Sequence, residues 1–144
     1  MQQTETPLKL VLDIVQVAGT HFSKRLQSLV DSGGISKEQY VRYLSMQYHL
    51  TKGVQKHFLI AASHPTMVGK RKLREFLFHF GLEEEPHYGM AKHDLQHLGA
   101  EPLPCPIDVK LWWAYFDQII SQRPFVRLGA TCILVPSQAN RGWD

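Results

Sequence analysis

Apolar residues recur at alternating steps of three and four along most of this chain, and that spacing commits it to amphipathic helices. Leu12, Val15, Gly19, Phe22, Leu26 and Leu29 draw the first stripe, one face of a helix of period 3.6. The spacing predicts a helix over Pro7 to Val30. Pro7 suits a first turn because the N–H it lacks has no helical partner there, and Asp31-Ser32-Gly33-Gly34 supplies residues that accept a left-handed C-cap.

Ser36-Lys37-Glu38-Gln39 has the pattern of a capping box and opens a second helix. Its stripe of Tyr43, Met46, Leu50, Val54, His57 and Ala61 runs on to Ser63-His64-Pro65, where proline pushes the preceding residue out of helical geometry. A third helical stretch is expected from about Val68 to Leu98, kinked where Pro86 removes a backbone donor, with Gly99 as its C-cap. Pro102 to Pro106 reads as an extended connector. Val109, Trp112, Trp113, Phe116 and Ile119 or Ile120 then mark a fourth helix up to Arg123, and Phe125, Leu128, Gly129 and Cys132 a fifth. Strand-like alternation and internal repeats are absent. The fold class is therefore all-α, with short turns implying antiparallel neighbours in a bundle.

A chain of 144 residues suits one domain, here a bundle over residues 7–134 and an irregular tail over 135–144. Pro136 cuts the fifth helix short and no stripe follows it, so the bundle is expected to be incomplete at its C-terminal end and to leave an apolar groove. Either a second copy of the chain covers it in a homodimer, or the chain is a C-terminally shortened version of something longer.

Charge and hydropathy narrow the function classes. The longest apolar runs fall far short of the roughly 20 residues of a membrane span, and the start of the chain lacks the basic region of a secretory signal. A cytoplasmic protein with no membrane partner is expected, and Cys105 and Cys132 suit free thiols in a reducing compartment. The net charge of +3 is modest. Lys70-Arg71-Lys72 with Arg74 covers little more than one helical turn and reads as a solvated face, so no nucleic acid partner is expected.

The residues richest in chemistry run from Glu83 to His97. On a helix Glu84 and His87, three apart, project to one side, and Asp94 lies two turns beyond His87, within about 20° of it. A Glu-x-x-His pair facing a bundle interior is the arrangement of carboxylate-bridged di-iron proteins, and its oxygen and nitrogen donors suit iron or manganese. The same spacing also arises in plain exposed turns, and one pair cannot close a coordination shell. His93 and His97 fall on a different face and are expected to meet solvent. His57, on the apolar stripe of the second helix, reads as a hydrogen-bonded core histidine, and His21 beside the first stripe reads likewise.

Several segments together resemble a known family. They are Gly19-Thr20-His21-Phe22, the second-helix run from Glu38 to His49, and Leu73 to Leu77 leading into Glu84-x-x-His87 and Asp94-Leu95-x-x-Leu98-Gly99. Over Leu8 to Leu134 they are similar to the heme oxygenase-like superfamily, above all to its iron-containing redox enzymes, the heme oxygenase-like di-iron oxidases. The resemblance implies a heme oxygenase-like bundle, iron held through Glu84 and His87, and oxidation of a small organic substrate. It also implies a further glutamate near Val135 and a later Asp and His set, which this chain lacks, so the metal site is expected to be incomplete unless a dimer completes it. Two other branches of the superfamily give alternatives. In heme oxygenases a first-helix histidine, here matched by His21, ligates heme, although heme is the less expected cofactor; in TenA-type proteins a fifth-helix cysteine, here matched by Cys132, is the nucleophile of a hydrolase. A third alternative is a non-catalytic, dimerising remnant of the fold.

Overall fold

The computed structural model of the protein describes the backbone of residues 6–134 and the side chains of residues 6–129. Among the described residues every regular element is helical, and no helix is long and apolar enough to cross a membrane. They divide into two compact units, one carrying the first helix and the other spanning residues Lys37–Thr131.

The first unit is built on α1, Pro7–Asp31. Thr6 caps its start by accepting from the Lys9 backbone N–H at 3.4 Å, and Pro7 occupies the first turn as the sequence predicts. Its end is a Schellman closure. The Gly34 N–H reaches back to the Leu29 carbonyl at 2.9 Å and the Gly33 N–H to that of Val30 at 3.1 Å, with Gly33 at φ 105°.

The second unit holds six helices and departs from the sequence reading in its second and third elements. The long helix expected from Ser36 to Ser63 is two, α2 over Lys37–Thr51 and α3 over Val54–Ser63, because Gly53 between them takes φ 90°. The stretch expected from Val68 to Leu98 is likewise divided. A 3-10 turn occupies Pro65–Met67, Gly69 turns at φ 76°, and α4, Arg71–Glu84, is separated at Glu85 and Pro86 from α5, His87–His97. Gly99 closes α5 as expected: the Ala100 N–H bonds the Leu95 carbonyl at 2.9 Å. Helix α6 spans Ile107–Ile120 and α7 spans Pro124–Leu134.

Helix α3 packs chiefly on α4 and α2 on α5, while α6 touches both α2 and α3. The core gathers Val54, Phe58, Ala61 and Ala62 of α3 with Met67, Leu77, Ile120 and Leu128. Gly81 lets α4 approach α3 closely, since a Cβ there would stand 3.3 Å from the Phe58 Cβ. The extended connector after α5 is pinned to α2 by side chains: the Leu103 N–H donates to Ser45 Oγ at 3.0 Å, and His49 Nε2 bonds the Leu103 carbonyl at 2.7 Å. His64, at the stop of α3, has Nδ1 3.2 Å from the Thr66 N–H and accepts there, so its Nε2–H donates to the Ser121 carbonyl at 3.1 Å and ties α3 to the end of α6.

Leu77 is only 2% exposed at the α3–α4 contact. Truncation to alanine removes its contacts and leaves a cavity, costing about 3 kcal/mol. In urea titrations Leu77→Ala is expected to lower the unfolding midpoint with the slope unchanged.

Candidate functional site

The break between α4 and α5 leaves Glu84 and His87 together. Glu84 is the last residue of α4 and His87 the first of α5, but Glu85 and Pro86 between them keep right-handed helical dihedrals. The three-residue rotation therefore survives, and His87 Nδ1 lies 2.7 Å from Glu84 Oε2. Asp94 does not join them. It is an exposed residue two turns along α5 whose nearest ionisable neighbour is His93, at 3.8 Å. His93 and His97 are exposed, as expected, with ring centroids 4.2 Å apart. His21 lies on α1, in the other unit. The Cys132 side chain and the Val135 position fall outside the described residues.

A second polar cluster sits deeper in the unit, and it centres on His57. This residue is fully buried on α3, bonded through Nε2 to Asp117 Oδ1 at 2.8 Å and through Nδ1 to Arg127 Nε at 3.2 Å. A guanidinium nitrogen can only donate, so Nδ1 must carry the lone pair, and the ring proton on Nε2 is then donated to Asp117. Asp117 is also paired with Lys56 Nζ at 2.6 Å on the same oxygen. His57 is thus a neutral histidine with both nitrogens engaged. The core histidine expected from the sequence is in place, with partners that spacing did not reveal.

Arg127 is the most unusual member. It is only 6% exposed, and its guanidinium carbon stands 4.8 Å from the centre of the Phe116 ring and 5.7 Å from that of Trp112. These aromatic faces, together with the His57 lone pair, partly replace the water the cation has lost. The negative charge of Glu84 also acts on Arg127. A polar chain therefore runs from Lys56 and Asp117 through His57 to Arg127, drawing on α3, α6 and α7, and the separate Glu84–His87 pair acts on its end through the Glu84 charge.

The titration behaviour follows from this arrangement. Burial pushes the His57 pKa below its ordinary 6.5; the Asp117 bond opposes the shift and the Arg127 charge reinforces it. For Asp117 partial burial acts upward, but the hydrogen bonds from Lys56 and His57 outweigh it and hold the carboxyl below 3.8. Burial lowers the Arg127 pKa from its ordinary value, with Glu84 pulling it back up, and the side chain stays charged near neutrality.

An Asp–His pair can act as a general base only if the second imidazole nitrogen reaches a substrate, and that nitrogen accepts from Arg127. For iron or manganese the donor set is short. Among the described residues no group of three or more histidine, cysteine, aspartate or glutamate side chains stands ready to hold a metal ion. Glu84 and His87 bond each other. Among the described residues Glu84 and His87 stand without the further donors that a di-iron coordination shell needs. No protein-family model, curated protein or solved structure matches the chain.

The sequence signal for Arg127 and Asp117 was slight but present. Each is a lone charge in an apolar helical run, Phe125-Val126-Arg127-Leu128 and Tyr115-Phe116-Asp117-Gln118-Ile119-Ile120. A charge in such a run needs a partner from another helix, and which helix supplies it is not a local property.

Two outcomes test the cluster. Arg127→Met keeps an apolar stem over Phe116 but strands the buried His57 lone pair, and it is expected to cost about 3 kcal/mol in chemical denaturation. Below pH 6.5 the unfolded chain binds a proton at His57 that the folded chain resists, so stability is full above 6.5 and falls as the pH drops toward the lower folded value. Melting temperatures measured from pH 7.5 to pH 5 should therefore decline, and less steeply in His57→Gln.

Proposed function

We propose that this chain is a non-catalytic, self-associating helical domain of heme oxygenase-like descent, in which a buried guanidinium takes the place of the metal at the polar centre. The observation that carries this reading is Arg127, nearly out of water, bonded to His57 and acted on by the charge of Glu84. In a carboxylate-rich di-iron bundle the cations neutralise the inward glutamates. Here a side chain of the protein supplies that charge permanently, and Glu84 and His87 are left as a structural pair.

Self-association is supported by the apolar side chains that the second unit leaves on its surface. Phe78 is 44%, Leu82 59% and Met90 61% exposed. A domain that keeps such side chains in water has a use for them in contact with protein. The chemistry of an iron oxidase acting on a small substrate remains the competing reading, and what favours it is the pairing of Glu84 with His87.

Anaerobic reconstitution with ferrous iron separates the two. After desalting, the wild-type protein is expected to retain much less than one equivalent, and Glu84→Ala and His87→Ala are expected to behave like it. One or two irons per chain, lost on either substitution, would overturn the proposal.

A further inference from the structure

Along helix α4, Leu77 and Gly81 are buried against α3, while at 100° per residue the exposed Arg71, Arg74, Glu75, Phe78, Leu82 and Glu85 fall within a sector of about 100° centred about 90° round the helix from them. Glu85 belongs to this stripe because its dihedrals, φ −57° and ψ −43°, continue the helix. The stripe is basic at its N-terminal end, apolar in the middle and acidic at its C-terminal end.

That order is self-complementary. If the stripe meets a copy of itself running antiparallel and centred on Phe78, then Arg71 of each chain faces Glu85 of the other, Arg74 lies across from Leu82, and the two Phe78 rings meet at the axis. We infer that α4 is the homodimer interface of this protein, formed by antiparallel packing of its exposed face against the same face of a second copy. The inference rests on the self-associating reading above and names its surface.

Charge complementarity selects this occupant. Glu85 has no ion-pair partner among the described residues, and neither has the Arg74 side chain. Arg71 bonds Glu75 through Nε alone, at 2.7 Å, which leaves the other guanidinium N–H groups to donate across an interface. Antiparallel alignment also sets the positive end of each helix dipole beside the negative end of the other. The surface has relief to receive side chains. A depression of about 440 Å³ is lined by Arg71, Arg74, Glu75 and Phe78, and a neighbouring one of about 300 Å³ shares Arg74 and Phe78 and reaches Val68. A two-fold contact of this kind uses the same patch on both chains, so it closes at two copies and does not propagate.

The test is a charge-swap mixing experiment on the full chain, read by native mass spectrometry and sedimentation. Wild type is expected to be dimeric. Arg71→Glu sets like charges against each other at both ends of the interface, and so does Glu85→Arg; each alone is expected to weaken the dimer at least tenfold, with helical circular dichroism unchanged because both residues are exposed. Mixing the two single variants is expected to restore a dimer of one chain of each kind, since every facing pair is then of opposite charge, and the double variant should again pair with itself. A dimer that persists in both single variants, or monomers that stay monomeric on mixing, would overturn α4 as the interface while leaving self-association through another face intact. A monomeric wild type would overturn both. Rescue of binding only by an unrelated acidic peptide or by inorganic phosphate would also count against a second copy as the occupant.

Discussion

A guanidinium keeps its charge in any environment a protein provides, and taking it out of water costs several kcal/mol unless the surroundings replace the lost hydration. Burial of Arg127 therefore dictates much of what surrounds it. The aromatic faces of Trp112 and Phe116 flank it, the negative charge of Glu84 acts on it, and His57 has to present a lone pair rather than a proton. That last demand fixes the tautomer, which turns the remaining N–H toward Asp117. One charged side chain on α7 thus sets the protonation and orientation of groups on α3 and α6, and the electrostatic surroundings of a carboxylate on α4.

The helix breaks make such a cluster geometrically available. A single straight helix from Ser36 to Ser63 would carry its contacts along one line, whereas the turn at Gly53 lets α2 pair with α5 and α3 pair with α4. Pro86 divides α4 from α5, yet the two residues at the break keep helical dihedrals, so Glu84 and His87 stay within hydrogen-bonding distance. The cluster and the hydrophobic core also share α3. His57 and Phe58 are adjacent in the chain, one turned to the polar chain and the other to Leu77, Met67 and Ile120. Helix α4 serves two purposes in the same way, with an inner face closed on α3 and an outer face left to solvent.

The all-helical architecture of the described residues agrees with the fold class expected from the sequence. Glu84 and His87 lie together, Asp94 is exposed beside His93, and the Arg127 cation and the Glu84 carboxylate act on each other. A polar centre of this kind is suited to fixing how helices pack, because a half-satisfied network is costlier than none and misplacing any one helix would strand a charge.

The sequence by itself determined that the chain is helical and where most helices begin and end. Those properties depend on neighbours a few residues apart: stripes at steps of three and four, Pro7 in a first turn, Gly33-Gly34 and Gly99 at ends, and the Ser63-His64-Pro65 stop. It also placed Glu84 beside His87, since three residues of helical rotation bring them together whether or not the helix continues. The split at Gly53 was less legible, because a glycine inside an amphipathic stripe is compatible with either a continuous helix or a left-handed turn, and packing decides. Only the tertiary structure decided what surrounds His57 and Glu84. The partners Asp117 and Arg127 lie 60 and 70 residues from His57 in the chain, and their pairing depends on how α3, α6 and α7 cross. No local periodicity carries that information.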